Sequence, residues 1–151
     1  MREIEVPRPA VTVAAIVARD DRFLLVEEHT RAGLRLNQPA GHLEPAETLA
    51  AAVVRETLEE TAYAVTLTAL VGIYRWQAPE TGATFLRFAF AADVAGYEPG
   101  RTLDDGIVRA LWLDYAELAA RRALHRSPLV LRCVDDFRAG RRLPLDLVTE
   151  Y

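Results

Sequence analysis

Ala10 to Val17 is an apolar run rich in valine, and Phe23 to Val26 repeats that character after Arg19-Asp20-Asp21. Short apolar runs around a polar turn predict a buried hairpin. Thr30 to Gln38 mixes charge with Gly33 and runs into Asn37-Gln38-Pro39-Ala40-Gly41, so it reads as a loop. From Thr48 to Ala62 there is neither Gly nor Pro, and the alanines and glutamates favour helix. Val65 to Trp76 and Thr84 to Val94 are rich in β-branched and aromatic residues and flank a turn with Pro79 and Gly82, which predicts two longer strands. Gly106 to Leu113 predicts a further strand. Asp114 suits the N-cap of a short helix through Arg121, and Ser127-Pro128 suits the cap and first residue of a last helix ending at Gly140. The order predicts a mixed α+β fold, and without a repeat or dividing linker residues 1–151 are expected to form one domain.

Composition narrows the function classes. Fifty-one per cent of the 151 residues are hydrophobic, enough for one core, and the net charge is -4 with scattered basic residues. Nucleic acid is therefore not an expected partner. All 18 basic residues are Arg, so Schiff-base chemistry and the phosphate-loop lysine are excluded. Cys133 is the only cysteine, which excludes an internal disulfide and a Cys-rich metal site and suits a reducing cytoplasm. Ser127, the only serine, lacks the glycine-flanked elbow of a nucleophile. No export signal or membrane segment is expected, and the oligomeric state is expected to be monomer or homodimer.

The chemistry concentrates on the Thr48 to Ala62 helix. Glu56, Glu59 and Glu60 fall within roughly a 100° arc, continuing the stripe of Leu49, Ala52 and Val53. Glu56 and Glu60 repel as a like-charge i,i+4 pair, and only Arg55 is near enough in sequence to offset them. A cation is expected there. Clustered carboxylates suit a hard divalent ion that also meets substrate phosphates, whereas His29, His42 and His125 lack zinc-site spacing.

Gly41, Glu47, Arg55, Glu56, Glu59 and Glu60 match the Nudix box, G-x5-E-x7-R-E-U-x-E-E-x-G-U, at every charged position and at its first glycine. Thr57 replaces an aliphatic residue and Ala62 the second glycine. If position 62 is left-handed, alanine there costs about 1 kcal/mol. The chain is thus similar to the Nudix hydrolases. Val11-Thr12-Val13-Ala14, Asn37 through Glu44, Phe85-Leu86-Arg87-Phe88, Trp112 and Arg126 through Val130 resemble a group of bacterial phosphatases within that family. The resemblance implies an α/β/α sandwich around a mixed β-sheet and a hydrolase dependent on Mg2+, with Mn2+ as a substitute. It implies substrates such as hydroxymethylpyrimidine pyrophosphate, thiamine pyrophosphate and nucleoside di- and triphosphates.

By the family pattern, Glu56, Glu59, Glu60 and the Gly41 carbonyl hold the metal, with Glu56 the first choice for general base. Glu47 and Arg55 are expected to pair and orient helix and loop. Asp104 and Asp105 are second candidates for a loop carboxylate, although an acidic turn is more often only a turn. Asn37, Gln38 and Trp76 are expected to meet the organic part of a small phosphorylated substrate, and Arg87 a phosphate; a core reading of Trp76, a turn reading of Asn37 and a solvent-facing reading of Arg87 are about as good. The alternatives are a Nudix-fold nucleotide-binding regulator without hydrolytic activity, and an RNA or dinucleotide pyrophosphohydrolase.

Overall fold

The computed structural model describes residues 5–151. Among the described residues seven strands, β1 (Ala10–Arg19), β2 (Arg22–Thr30), β3 (Gly33–Asn37), β4 (Ala40–His42), β5 (Tyr63–Gln77), β6 (Thr84–Tyr97) and β7 (Ile107–Asp114), form one mixed sheet. Its main path runs β3-β2-β1-β6-β5, with β4 paired to β1 and β7 to β2. Three α-helices among the described residues, α1 (Leu49–Thr61), α2 (Tyr115–Ala120) and α3 (Leu129–Arg138), pack against it.

Local chemistry explains most boundaries. Asp20 and Asp21 take φ of 53° and 59°, the left-handed pair of a tight hairpin turn that aspartate tolerates better than most residues. The Thr48 hydroxyl accepts from Ala51 N at 3.0 Å to cap α1, and Asp114 caps α2 through Glu117 N at 2.8 Å. Ala62 ends α1 at φ 65°, so the left-handed position is real and is held without the usual glycine. Thr57, where the motif calls for an aliphatic side chain, is fully buried; its hydroxyl donates to Val53 O at 2.7 Å, so no polar atom is left unpaired in the core.

The expected loop over Thr30 to Gln38 contains β3, paired antiparallel to β2 from Val26↔Asn37 to Thr30↔Gly33. Arg35 and Gly33 hid it, because an edge strand with one face in solvent tolerates charge. The last helix starts at Leu129 rather than Pro128, with Ser127 Oγ accepting from Leu129 N at 3.2 Å.

Alternation along β1 divides the core. Val13, Ala15 and Val17 pack with Leu49, Ala52 and Val53 of α1, while Ile16 faces Leu118 of α2 and Val130, Cys133 and Val134 of α3. The arrangement is an α/β/α sandwich. β1 and β6 run parallel in the middle, from Ala10↔Phe85 to Val17↔Ala92, and they carry the layers on both sides.

Candidate active site

Gly41 on β4 pairs with Val13, whose side chain lies on the α1 side of the sheet. A β-carbon at Gly41 would fall on the Glu56 carboxyl group. Glycine is thus required here by approach rather than by dihedral freedom. Next to it, Ala40 N donates to Glu60 Oε1 at 2.8 Å, so strand and helix are joined where the carboxylates gather.

The carboxylates divide into two settings. Oxygens of Glu56, Glu59 and Asp104 lie within 4.8 Å of one another. Asp104 reaches them because its N–H donates to Glu59 O at 3.0 Å, which folds the loop before β7 onto the end of α1. Glu60 points deeper, is 8% exposed, and is held by Ala40. Burial pushes its pKa up to about 8, opposed by the Ala40 hydrogen bond and aided by the charges of Glu56, Glu28 and Asp104. Burial also raises Glu56 above the ordinary carboxylate range, although Arg55 pulls the other way.

Arg55 serves several acids at once. Its Nε and Nη2 donate to the two oxygens of Glu47 at 2.6 and 2.9 Å, the expected pairing in bidentate form. Its Nη1 donates to Glu56 at 3.0 Å and Glu59 at 3.1 Å, and Nη2 reaches His42 O at 3.3 Å. Glu44 lies 3.5 Å away. One guanidinium thus faces four carboxylates, with Asp104 and Glu60 beside them. The Glu47 pair fixes the Glu44–Thr48 loop against the helix and keeps the Arg55 guanidinium charged.

Asp105 is exposed and does not join the cluster of described residues. Asn37, Gln38, Trp76 and Arg87 lie toward the α3 side. Arg87 pairs across strands with Tyr74, which packs among the α3 residues, and Trp76 is two positions beyond Tyr74 in regular register. The half-buried Trp76 ring stacks on Phe85 at 5.8 Å. Gln38 and Arg87, expected to face a substrate, are instead 1% and 6% exposed. Gln38 Nε2 donates to Val130 O at 2.7 Å and its oxygen accepts from Arg87 Nη1 at 2.9 Å, so both ends of the amide are used inside the protein.

Sequence reasoning missed Glu28 and Arg126. Glu28 on β2 is a charge felt by Glu60, and it accepts from Arg126 Nη1 at 2.6 Å. Glu28 stands at the polar end of an apolar strand, where a second glutamate in Glu27-Glu28 was the one available sign.

Comparison with known proteins identifies the family. The family model described as the NUDIX domain matches residues 6–133. The chain is 36% identical over 144 residues to the phosphatase NudJ of Escherichia coli K12, covering 95% of this chain and 93% of that protein. A solved NUDIX hydrolase from Nitrosomonas europaea is 49% identical and superposes with a TM-score of 0.93 over 95% of this chain and 98% of its own. A MutT NUDIX hydrolase from Burkholderia pseudomallei, at 19% identity and a TM-score of 0.71 over 86% of this chain and 98% of its own, shares the fold. With every charged position of the motif and its first glycine present and relatives matching nearly end to end, this chain belongs to the Nudix family and is one of its phosphohydrolases.

Proposed function

We propose that this enzyme cleaves the phosphoanhydride bond of small diphosphate compounds with a divalent cation, Mg2+ or Mn2+, and releases inorganic phosphate. The observation that carries this reading is the charge imbalance at the end of α1: Glu56, Glu59 and Asp104 converge within 4.8 Å, and the one cation paired with Glu56 and Glu59 among the described residues, Arg55, is shared with Glu47 and Glu44. All candidate donors are oxygens, as a hard cation requires. Glu56, Glu59 and Asp104 would hold the ion, with Glu60 and the Gly41 carbonyl as further donors. When bound, it would supply positive charge to the phosphate oxygens in phosphoryl transfer.

The protein side chains position and transfer a proton. Glu56 lies half-buried against Gly41 beside Glu59 and Asp104, and in this reading it is the general base. In this reading a water oxygen bonds to the terminal phosphorus, its proton passes to Glu56, and the bond to the bridging oxygen breaks to leave the shorter phosphate ester. Arg55 and Glu47 hold the carboxylates in register.

Support for the substrate class comes from NudJ, a phosphatase by name, at 36% identity over nearly the whole chain. We accordingly place hydroxymethylpyrimidine pyrophosphate, thiamine pyrophosphate and nucleoside di- and triphosphates first, with Asn37 and Trp76 at the organic end. Screening phosphate release over these compounds, a dinucleoside polyphosphate and a nucleotide sugar, with Mg2+ and then with excess chelator, tests the proposal. Release from terminal diphosphates only with metal is expected. Cleavage confined to the dinucleoside polyphosphate or the sugar would reject the substrate class.

A further inference from the structure

Arg87 is 6% exposed, yet no ion pair among the described residues includes it. Its two terminal nitrogens donate to neutral amide oxygens instead: Nη1 to Gln38 Oε1 at 2.9 Å and Nη2 to Asn37 Oδ1 at 3.0 Å. A guanidinium has donors and no acceptor, so each amide must turn its oxygen toward Arg87. For Gln38 the remaining NH2 is consumed by Val130 O at 2.7 Å. For Asn37 the NH2 has no partner among the described residues. Among the described residues no fully buried side-chain nitrogen or oxygen lacks a partner, so the Nδ2 group of the half-buried Asn37 is reached by solvent.

Its location matters. Asn37 ends β3, three residues before Ala40, whose N–H holds Glu60, and four before Gly41, which lies against Glu56. The chain that carries the carboxylates' backing thus begins with an amide whose oxygen is already taken.

We propose that Arg87 is a positioning residue that locks Asn37 as a donor-only reader of the substrate's ring. A locked amide NH2 hydrogen-bonds to a ring nitrogen or carbonyl oxygen and rejects an edge that offers only donors, since a buried or pocketed donor facing another donor is left unpaired. The selected class is a heteroaromatic ring with acceptors on its exposed edge, joined to a diphosphate. This inference rests on the proposed hydrolysis of ring-bearing diphosphates and adds the chemistry by which the ring is recognised.

Binding by calorimetry with Mg2+ tests it apart from turnover, using two probes that cannot be cleaved: α,β-methylene cytidine diphosphate, which has the ring, and methylenebisphosphonate, which lacks it. Asn37→Asp keeps an oxygen for Arg87 and loses the NH2. It should stay folded and bind the cytidine probe at least ~10-fold more weakly, while bisphosphonate affinity stays within about twofold. Arg87→Lys cannot hold both amides in one plane and should reduce the ratio of the two affinities in the same direction. Equal losses on both probes, unchanged cytidine affinity in Asn37→Asp, or a wild type that binds both probes alike would each overturn the inference. Asn37→Asp decides alone should Arg87→Lys fail to fold. Phosphate release from inorganic tripolyphosphate by the wild type reports separately on the hydrolase reading.

Discussion

Gly41 and Glu56 are so close that the glutamate carboxyl occupies the place a β-carbon would take on the glycine. The first glycine of the motif and the second of its charged helix residues are therefore two sides of one contact. Gly41→Ala should push the Glu56 carboxyl away from Glu59 and Asp104, and a displacement near 1 Å lowers turnover by about 100-fold. The melting temperature should change little, because the atoms in the way are the far end of a flexible side chain. Turnover within a few-fold of wild type would separate Glu56 from the chemistry.

Glu59→Gln, Glu60→Gln and Asp104→Asn each remove a carboxyl group that could hold a cation from the acidic cluster at the end of α1. We expect turnover to fall by at least ~100-fold for the two glutamates, with folding retained and part of the loss in Asp104→Asn recovered at higher Mg2+. Steady-state assays over a metal titration give the answer. Full activity in excess chelator would remove the metal from the mechanism.

Arg55→Ala leaves Glu47, Glu56 and Glu59 facing one another without their shared cation. Both turnover and melting temperature should drop, the latter by a few degrees, and Glu47→Gln should reproduce the turnover loss in milder form. If Arg55→Ala left both quantities unchanged, the bidentate pair would have no role in placing the helix.

Glu60 gives the pH dependence. Its folded pKa of about 8 lies above the unfolded value of 4.5, so the native protein keeps a proton that the unfolded chain has lost. Stability without metal is then fully present below about pH 4.5 and declines as pH rises through about 8, with a slope of at most ~1.4 kcal/mol per pH unit. Denaturant titrations in chelator should show this slope in the wild type and a flatter line in Glu60→Gln. The same slope in both proteins would mean that Glu60 ionises normally in the fold.

Trp76→Ala should weaken the preference for ring-bearing substrates by about 1–3 kcal/mol if the ring stacks on Trp76, and leave inorganic polyphosphate cleavage nearly unaltered. A uniform loss on both would instead assign Trp76 to packing with Phe85.

The elements that could be read from the sequence are those whose chemistry is local. The Thr48 hydroxyl, the alanine-rich body and the glutamate spacing define α1 without reference to any other segment, and Asp20-Asp21 announces its turn. β3 escaped because its identity comes from pairing with β2, and the parallel partnership of β1 with β6 leaves no mark in either strand. The site follows the same rule. Glu56 and Glu59 are neighbours on a wheel, whereas Asp104 joins them through a backbone bond to Glu59 O, and the burial of Gln38 and Arg87 depends on α3, 92 residues beyond Gln38 at Val130.

The central parallel pair also sets what fraction of the polypeptide must exist before the motif has any meaning. The inner face of α1 is covered by Val65, Leu70, Phe90 and Ala92 as well as by β1, and its first turn receives Glu150 Oε1 at Leu49 N, 2.6 Å away and 101 positions later. During synthesis the complete set of box residues is therefore present long before most of its support, and a fragment ending after Ala62 would hold all six matched residues with β1 but without β5 and β6, which cover the rest of the inner face of α1. The box is a signature that travels in sequence, but the catalytic unit it marks is nearly the length of the chain.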